Sequence, residues 1–111
     1  MNKMYDYEED LDTLYIYNND SNEKVEGSLV FGNVVIDIGK NGKVLGVEID
    51  CASRLFKFPI EQLGNLKVAK VEVMKLGKMV TFGIVLATTT KEYNFQFAVP
   101  QETNRVPILV S

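Results

Sequence analysis

The chain contains no histidine and no tryptophan, and only one cysteine among its 111 residues. Without histidine the commonest general base and the commonest metal ligand are gone. Ser-His-Asp and Cys-His catalysis are thereby excluded, as are zinc sites built on histidine or on several thiolates. The lone thiol, Cys51, closes no internal disulfide, and the opening Met1-Asn2-Lys3-Met4-Tyr5-Asp6 shows no apolar core of a secretory signal. No apolar run approaches the roughly 20 residues that cross a bilayer. Gly32, Gly39, Gly42 and Gly46 fit neither Gly-x-x-x-x-Gly-Lys-Ser/Thr nor Gly-x-Gly-x-x-Gly ahead of a helix, so they read as turn and bulge positions, not as a phosphate loop. These absences lead us to expect a cytoplasmic protein, away from the membrane, without a cofactor and without enzymatic activity.

What is present is apolar and strand-like. Apolar residues make up 46% of the chain, and a chain of this length buries roughly 65% of its unfolded surface, enough for a core without disulfide or metal. The net charge of −3 hides an asymmetry: residues 1–56 carry eleven acids against five bases, residues 57–111 four acids against seven bases. The basic excess includes Lys67, Lys70, Lys75 and Lys78, but a net acidic chain is a poor candidate for nucleic acid.

Apolar residues alternate with period two along most of the chain, the mark of antiparallel strands with one face on a core. Leu14 and Ile16 oppose Tyr15 and Tyr17; Val34, Ile36 and Ile38 oppose Val35 and Asp37; Leu45, Val47 and Ile49 oppose Val44, Gly46, Glu48 and Asp50. Ala69, Val71 and Val73, then Val80, Phe82, Ile84 and Leu86, then Tyr93, Phe95, Phe97 and Val99 continue the pattern. Asn41-Gly42 predicts a tight two-residue hairpin that sets Ile38 opposite Leu45 and Asp37 opposite Gly46. Residues 18–27 read as a polar loop. Asp50 or Ser53 is positioned to cap a helical turn near residues 54–56, and Pro59 to open a second over residues 60–63 that Gly64-Asn65 ends.

The expected fold is mainly β (a β-rich α+β chain): six or seven antiparallel strands in a curved sheet or two-layer sandwich, with one short helical segment near residues 51–64. A single domain is expected over 1–111. It comprises a strand, hairpin and helix-start unit at 1–56, a three-stranded antiparallel extension at 66–100 and an apolar tail at 101–111. Open sheet edges lead to the expectation of a homodimer.

Two strings carry a resemblance. The first is Tyr5, Asp6, Glu8, Asp10, then Leu14-Tyr15-Ile16 after extra spacing; the second is Val44, Gly46, Val47, Glu48, Ile49, Ala52 and Ser53. Together they resemble a family of small prokaryotic domains of unknown function. Its members open on Tyr-Asp-x-Glu-x-Asp-x-Leu-Tyr-Ile and close on Val-x-Gly-Ile-Glu-Ile-x-x-Ala-Ser. The likeness covers about the first half of the chain, and the later strands look like the extension of longer, archaeal-like members. The resemblance implies a fold more than an activity. Through shorter relatives it suggests an antitoxin-like partner of a small toxin, although this chain lacks a basic DNA-reading helix.

Four groups of residues could carry chemistry. Asp6, Glu8, Asp10 and Asp12 recur every second residue, so an extended backbone sets them on one face, where hard oxygen ligands suit a divalent metal such as Mg²⁺ or Ca²⁺. The alternative is a charged strand edge that resists edge-to-edge pairing. Asp37 and Glu48 flank the hairpin diagonally on one face and could share a ligand or act as a carboxylate pair, or simply face solvent. Cys51 precedes a helix start, a setting that favours a reactive thiol, yet without histidine a structural thiol is the simpler reading. Tyr5, Tyr7, Tyr15 and Tyr17 form an aromatic stripe, and we expect Tyr15 and Tyr17, with Ile108 and Leu109 of the tail, to serve an interface with a second copy or another protein.

Overall fold

The computed structural model describes residues 4–100. Eight strands and two short helices follow one another as β1 (Tyr5–Glu8), β2 (Thr13–Tyr17), β3 (Gly27–Phe31), β4 (Val34–Ile38), β5 (Val44–Asp50), α1 (Ala52–Phe56), α2 (Ile60–Leu63), β6 (Val68–Leu76), β7 (Met79–Ala87) and β8 (Glu92–Pro100). They build a five-stranded antiparallel sheet in the order β1-β2-β5-β4-β3 and a three-stranded antiparallel sheet in the order β6-β7-β8.

The period-two pattern decides what lies between them. Leu14, Ile16, Ile36, Ile38, Val47 and Ile49 leave the first sheet on one side, fully buried. Val80, Phe82, Ile84 and Leu86 of β7 meet them from the second, and one apolar cluster joins both sheets with Phe56, Phe58 and Leu63 of the helical segment. Burial of such side chains contributes roughly 1.5–3 kcal/mol each. Phe82 stacks on Phe97 with ring centroids 5.1 Å apart, and Phe56 lies 4.3 Å from Phe95, so α1 is pinned to β8.

Three details depart from the sequence reading. The strand count reaches eight because residues 27–31 pair with β4 as an edge strand, turning through Gly32, whose φ of +58° favours glycine, and Asn33. The link between β4 and β5 is not a two-residue turn. It is a 3-10 turn over Lys40–Gly42, closed by the Gly39 N–H donating to the Lys43 carbonyl at 2.7 Å. Asp37 does face Gly46, but Ile38 faces Val44 and not Leu45, so a bulge intervenes. The bulge turns Val44, expected on the outer face, into the core, while Leu45 folds over Gly39, where an added Cβ would come within 2.7 Å of it.

The helical segment divides in two, as Pro59 predicts. Neither Asp50 nor Ser53 caps α1. Cys51 occupies the cap position in a left-handed conformation (φ +54°), and its side chain makes no capping bond. The cap comes instead from Asp12, far away in the chain. The tail at 101–111, with Ile108 and Leu109, lies outside the described residues.

Candidate functional site

The outer face of the five-stranded sheet gathers most of the residues that sequence reasoning singled out. Cross-strand register places Asp6 beside Tyr15, Tyr15 beside Glu48 and Glu48 beside Val35 in one row. The next row runs Tyr17, Gly46, Asp37, Ser28. Glu8, Thr13 and Asp50 form a third.

Hydrogen bonds tie these rows together. The Tyr15 hydroxyl donates to Asp37 Oδ2 at 2.7 Å, reaching it across Gly46, and the Ser28 hydroxyl donates to Asp37 Oδ1 at 2.8 Å. The Tyr17 hydroxyl donates to Asp6 Oδ2 at 2.5 Å. The rings of Tyr15 and Tyr17 meet edge-on with centroids 4.7 Å apart. Burial and then the bond to Asp37 push the Tyr15 phenol well above its ordinary range; the bond to Asp6, then burial, raises that of Tyr17. Both phenols therefore stay protonated donors at physiological pH.

The aromatic stripe does not form a single face. Tyr5 and Tyr7 stand opposite Ile16 and Leu14 and pack on the core, whereas Tyr15 and Tyr17 lie outside. The Tyr5 hydroxyl accepts the Leu66 N–H at 2.9 Å, fixing the approach to β6.

The four opening acids are not brought together. The strand ends at Glu8, a turn carries Glu9 and an exposed Asp10, and Asp12 adopts a left-handed φ of +51°. Period two therefore fails after Glu8. Among the described residues no group of three or more histidine, cysteine, aspartate or glutamate side chains could hold a metal ion. Asp12 instead caps α1. Its backbone carbonyl accepts the Ala52 N–H at 3.0 Å, and its carboxylate accepts the Ser53 N–H at 3.0 Å and the Ser53 hydroxyl at 2.7 Å. The Tyr7 hydroxyl adds a further bond at 2.6 Å. Burial opposes the charge on Asp12, but the bonds from Tyr7 and Ser53 and the nearby Arg54 cation together hold its carboxyl below the usual range.

Asp37 and Glu48 do share a face as expected, but their surroundings differ. Asp37 is engaged by two hydroxyls. Glu48 feels burial first and then the charges of Asp50, Asp37 and Glu8, all of which raise its pKa. An acid with a raised folded-state pKa destabilises the fold once ionised. We therefore expect Glu48→Gln to stabilise at neutral pH by roughly 0.3 kcal/mol, given solvent screening. The gain should vanish as pH falls below the unfolded glutamate value of about 4.3. Thermal melts at both pH values check this, and a loss of stability at neutral pH would contradict it.

Two further candidates are placed as follows. Cys51 is half-buried, with the Arg54 guanidinium donating to its sulfur at 3.2 Å. Lys70 pairs with Glu72 at 3.5 Å on the outer side of the second sheet.

Sequence reasoning missed a groove of about 410 Å³ at the open end of the sandwich. Phe31 and Val34 of the first sheet, Phe95 and Phe97 of β8 and Leu55 and Phe56 of α1 line it. Leu55 is 48% exposed there, and the three groove phenylalanines other than Phe56 are only half-buried.

Comparison with known proteins gives this geometry a context. A protein of Methanosarcina mazei named "Putative hypoxanthine phosphoribosyltransferase" is 34% identical over 71 residues, covering 62% of this chain and 56% of that protein. The chain thus spans little more than half the length of the relative it matches. No solved structure matches it. Residues 4–53 match the family described as "Protein of unknown function (DUF2283)", a span that runs from the opening acids to the Ala-Ser pair bound by Asp12. The likeness to that family of unknown function is thus confined to residues 4–53, somewhat less than half of the chain.

Proposed function

We propose that this protein is a non-enzymatic, homodimeric protein-interaction module. The observation that carries the reading is the apolar groove, whose aromatic walls are left half-exposed among the described residues. Apolar surface rimmed by polar residues is characteristic of protein contact sites. The distribution of polar groups supports the same reading. Tyr7, Tyr15, Tyr17, Asp6, Asp12 and Asp37 engage one another or nearby serines in bonds that fix strands and a helix end. An antitoxin-like role would be one form of this reading, with a small toxin as the captured chain. The name of the Methanosarcina relative finds less support. A phosphoribosyl transfer site calls for a phosphate cradle, whereas the described helices have five and four residues and neither follows a glycine-rich turn.

Native mass spectrometry of the untagged protein from its own source tests the proposal. The expected result is twice the 12.5 kDa chain mass, or a complex with a second polypeptide. A bare monomer at micromolar concentration, or a small-molecule adduct on a monomer, would overturn it.

A further inference from the structure

We infer that β8 is the dimerisation edge: two copies join through β8 in antiparallel register about a two-fold axis at Gln96, completing the apolar groove of each. This rests on the interaction-module reading and names its surface and its occupant.

The four sheet edges differ in protection. β1 has four residues and carries Asp6 and Glu8. β6 carries Lys70, Glu72 and Lys75, and its Ala69 N–H donates to the sulfur of Met4, the residue just before β1. β3 has only five residues. β8 has nine, pairs with β7 alone among the described strands, and carries one charge, Glu92, at its first position. This long, regular and nearly neutral edge carries the usual devices against pairing only at its two ends, Glu92 and Pro100.

The phase of its backbone follows from the hairpin. The Thr88 N–H donates to the Lys91 carbonyl at 2.8 Å, in register with Ala87 opposite Glu92. Bonded and non-bonded pairs alternate in an antiparallel ladder. Residues 93, 95, 97 and 99 therefore bond to β7, and Glu92, Asn94, Gln96 and Ala98 direct their N–H and C=O groups to the open edge. Pro100, the last residue of the strand, fits this phase, because an edge-facing position is where a missing N–H costs nothing.

A second copy fits this edge by its chemistry. Centred on Gln96, the antiparallel pairing sets Gln96 against its own equivalent and Asn94 against Ala98, each a doubly bonded pair. Glu92 then meets Pro100, so no like charges oppose one another. Phe95 falls opposite Phe97 in the closer, non-bonded positions, where cross-strand aromatic side chains make contact. Both point to the groove side, toward Phe56 and Phe82. The two-fold axis stands perpendicular to the joined sheet, so the grooves of the two copies adjoin and the four phenylalanines form one cluster.

Sedimentation equilibrium on the full-length chain tests this, with Gln96→Pro and Gln96→Lys. Gln96→Pro removes the N–H at the axis and leaves the β7 ladder intact. Gln96→Lys opposes two cations there without altering the backbone. Wild type is expected to be dimeric, and each variant to weaken dimerisation about tenfold or more, the lysine variant recovering partly at high salt. Circular dichroism should show both variants folded; if the proline variant unfolds, the lysine variant still decides. A dimer that survives both substitutions overturns the β8 assignment while the interaction-module reading stands. A wild-type monomer with no partner overturns both. A wild-type monomer that becomes dimeric when Ile108 and Leu109 are changed to aspartate would show that the chain's own last residues hold the edge, and would also overturn the assignment.

Discussion

Replacing Asp12 with alanine is expected to cost about 3 kcal/mol of folding stability, a large share of the total for a domain of this size. Three losses combine. The helix α1 loses the carboxylate that accepts the Ser53 N–H and hydroxyl, and loss of a cap costs about 1 kcal/mol. The Tyr7 hydroxyl loses an ionised acceptor at 2.6 Å, worth about 1 kcal/mol at a partly exposed site. The backbone at residue 12 is left-handed (φ +51°), a conformation that aspartate tolerates and alanine adopts at a cost of about 1 kcal/mol. The terms separate by substitution. Asp12→Asn keeps an acceptor and tolerates the backbone, so it should cost only about 1 kcal/mol. Asp12→Gly relieves the backbone but not the cap and should fall between. Urea unfolding of the three variants checks the order, and equal losses for asparagine and alanine would refute the capping role. The pH dependence has a definite sign. The Asp12 pKa is lowered in the folded state, so its contribution is full above the unfolded value of about 3.9 and is lost as pH falls through the folded one. The gap between wild type and Asp12→Asn should therefore hold across roughly pH 5 to 8 and narrow in acid.

The acids at residues 6 to 12 show where sequence reading reaches and where it stops. Their spacing is visible, and a strand through Tyr5–Glu8 follows from it. The turn that breaks the alternation is not visible, because no glycine or proline marks residues 9–12 and the left-handed position falls on Asp12. The partner of that acid lies 41 residues away, and a contact of this range depends on strand pairing that local pattern does not fix. The family strings held the clue. Shifted by two residues, Tyr7, Glu8, Asp10, Asp12, Leu14, Tyr15 and Ile16 fit the opening pattern with no extra spacing residue, acid for acid. The tyrosine and final aspartate of the string then become the bonded pair Tyr7 and Asp12. The strand faces were legible for a different reason: wherever one side is buried, as at Leu14 and Ile16 or at Phe82 and Ile84, burial enforces period two. That rule failed at Val44 and Leu45, where the bulge buries both. The groove was illegible because Phe31, Leu55 and Phe95 come from three distant segments, and each alone reads as an ordinary core residue.

Gly46→Val is expected to destabilise the fold by about 2–3 kcal/mol, although valine is the better strand former. The φ of Gly46 lies in the ordinary range, so the position requires room and not backbone freedom. A Cβ there would stand 2.1 Å from the Tyr15 hydroxyl oxygen and 2.5 Å from Cζ. The ring must leave, Asp37 loses its bond at 2.7 Å, and the ring of Tyr17, 4.7 Å away, limits where Tyr15 can go. Gly46→Ala meets the same obstacle with less bulk and should cost about 1–2 kcal/mol, since the lost charge-assisted bond outweighs the reduced entropy of the unfolded chain. Tyr15→Phe, which removes only the hydroxyl, should cost about 1.5 kcal/mol. The decisive comparison is a double-mutant cycle. With Tyr15 already changed to alanine, the space above residue 46 is open, and Gly46→Ala should then stabilise by roughly 0.5–1 kcal/mol, as it does in a strand with no obstacle. The substitution should therefore change sign with the residue across the strand. Equal destabilisation in both backgrounds would place the requirement for glycine in the backbone of β5, and the tyrosine lying over it would be incidental.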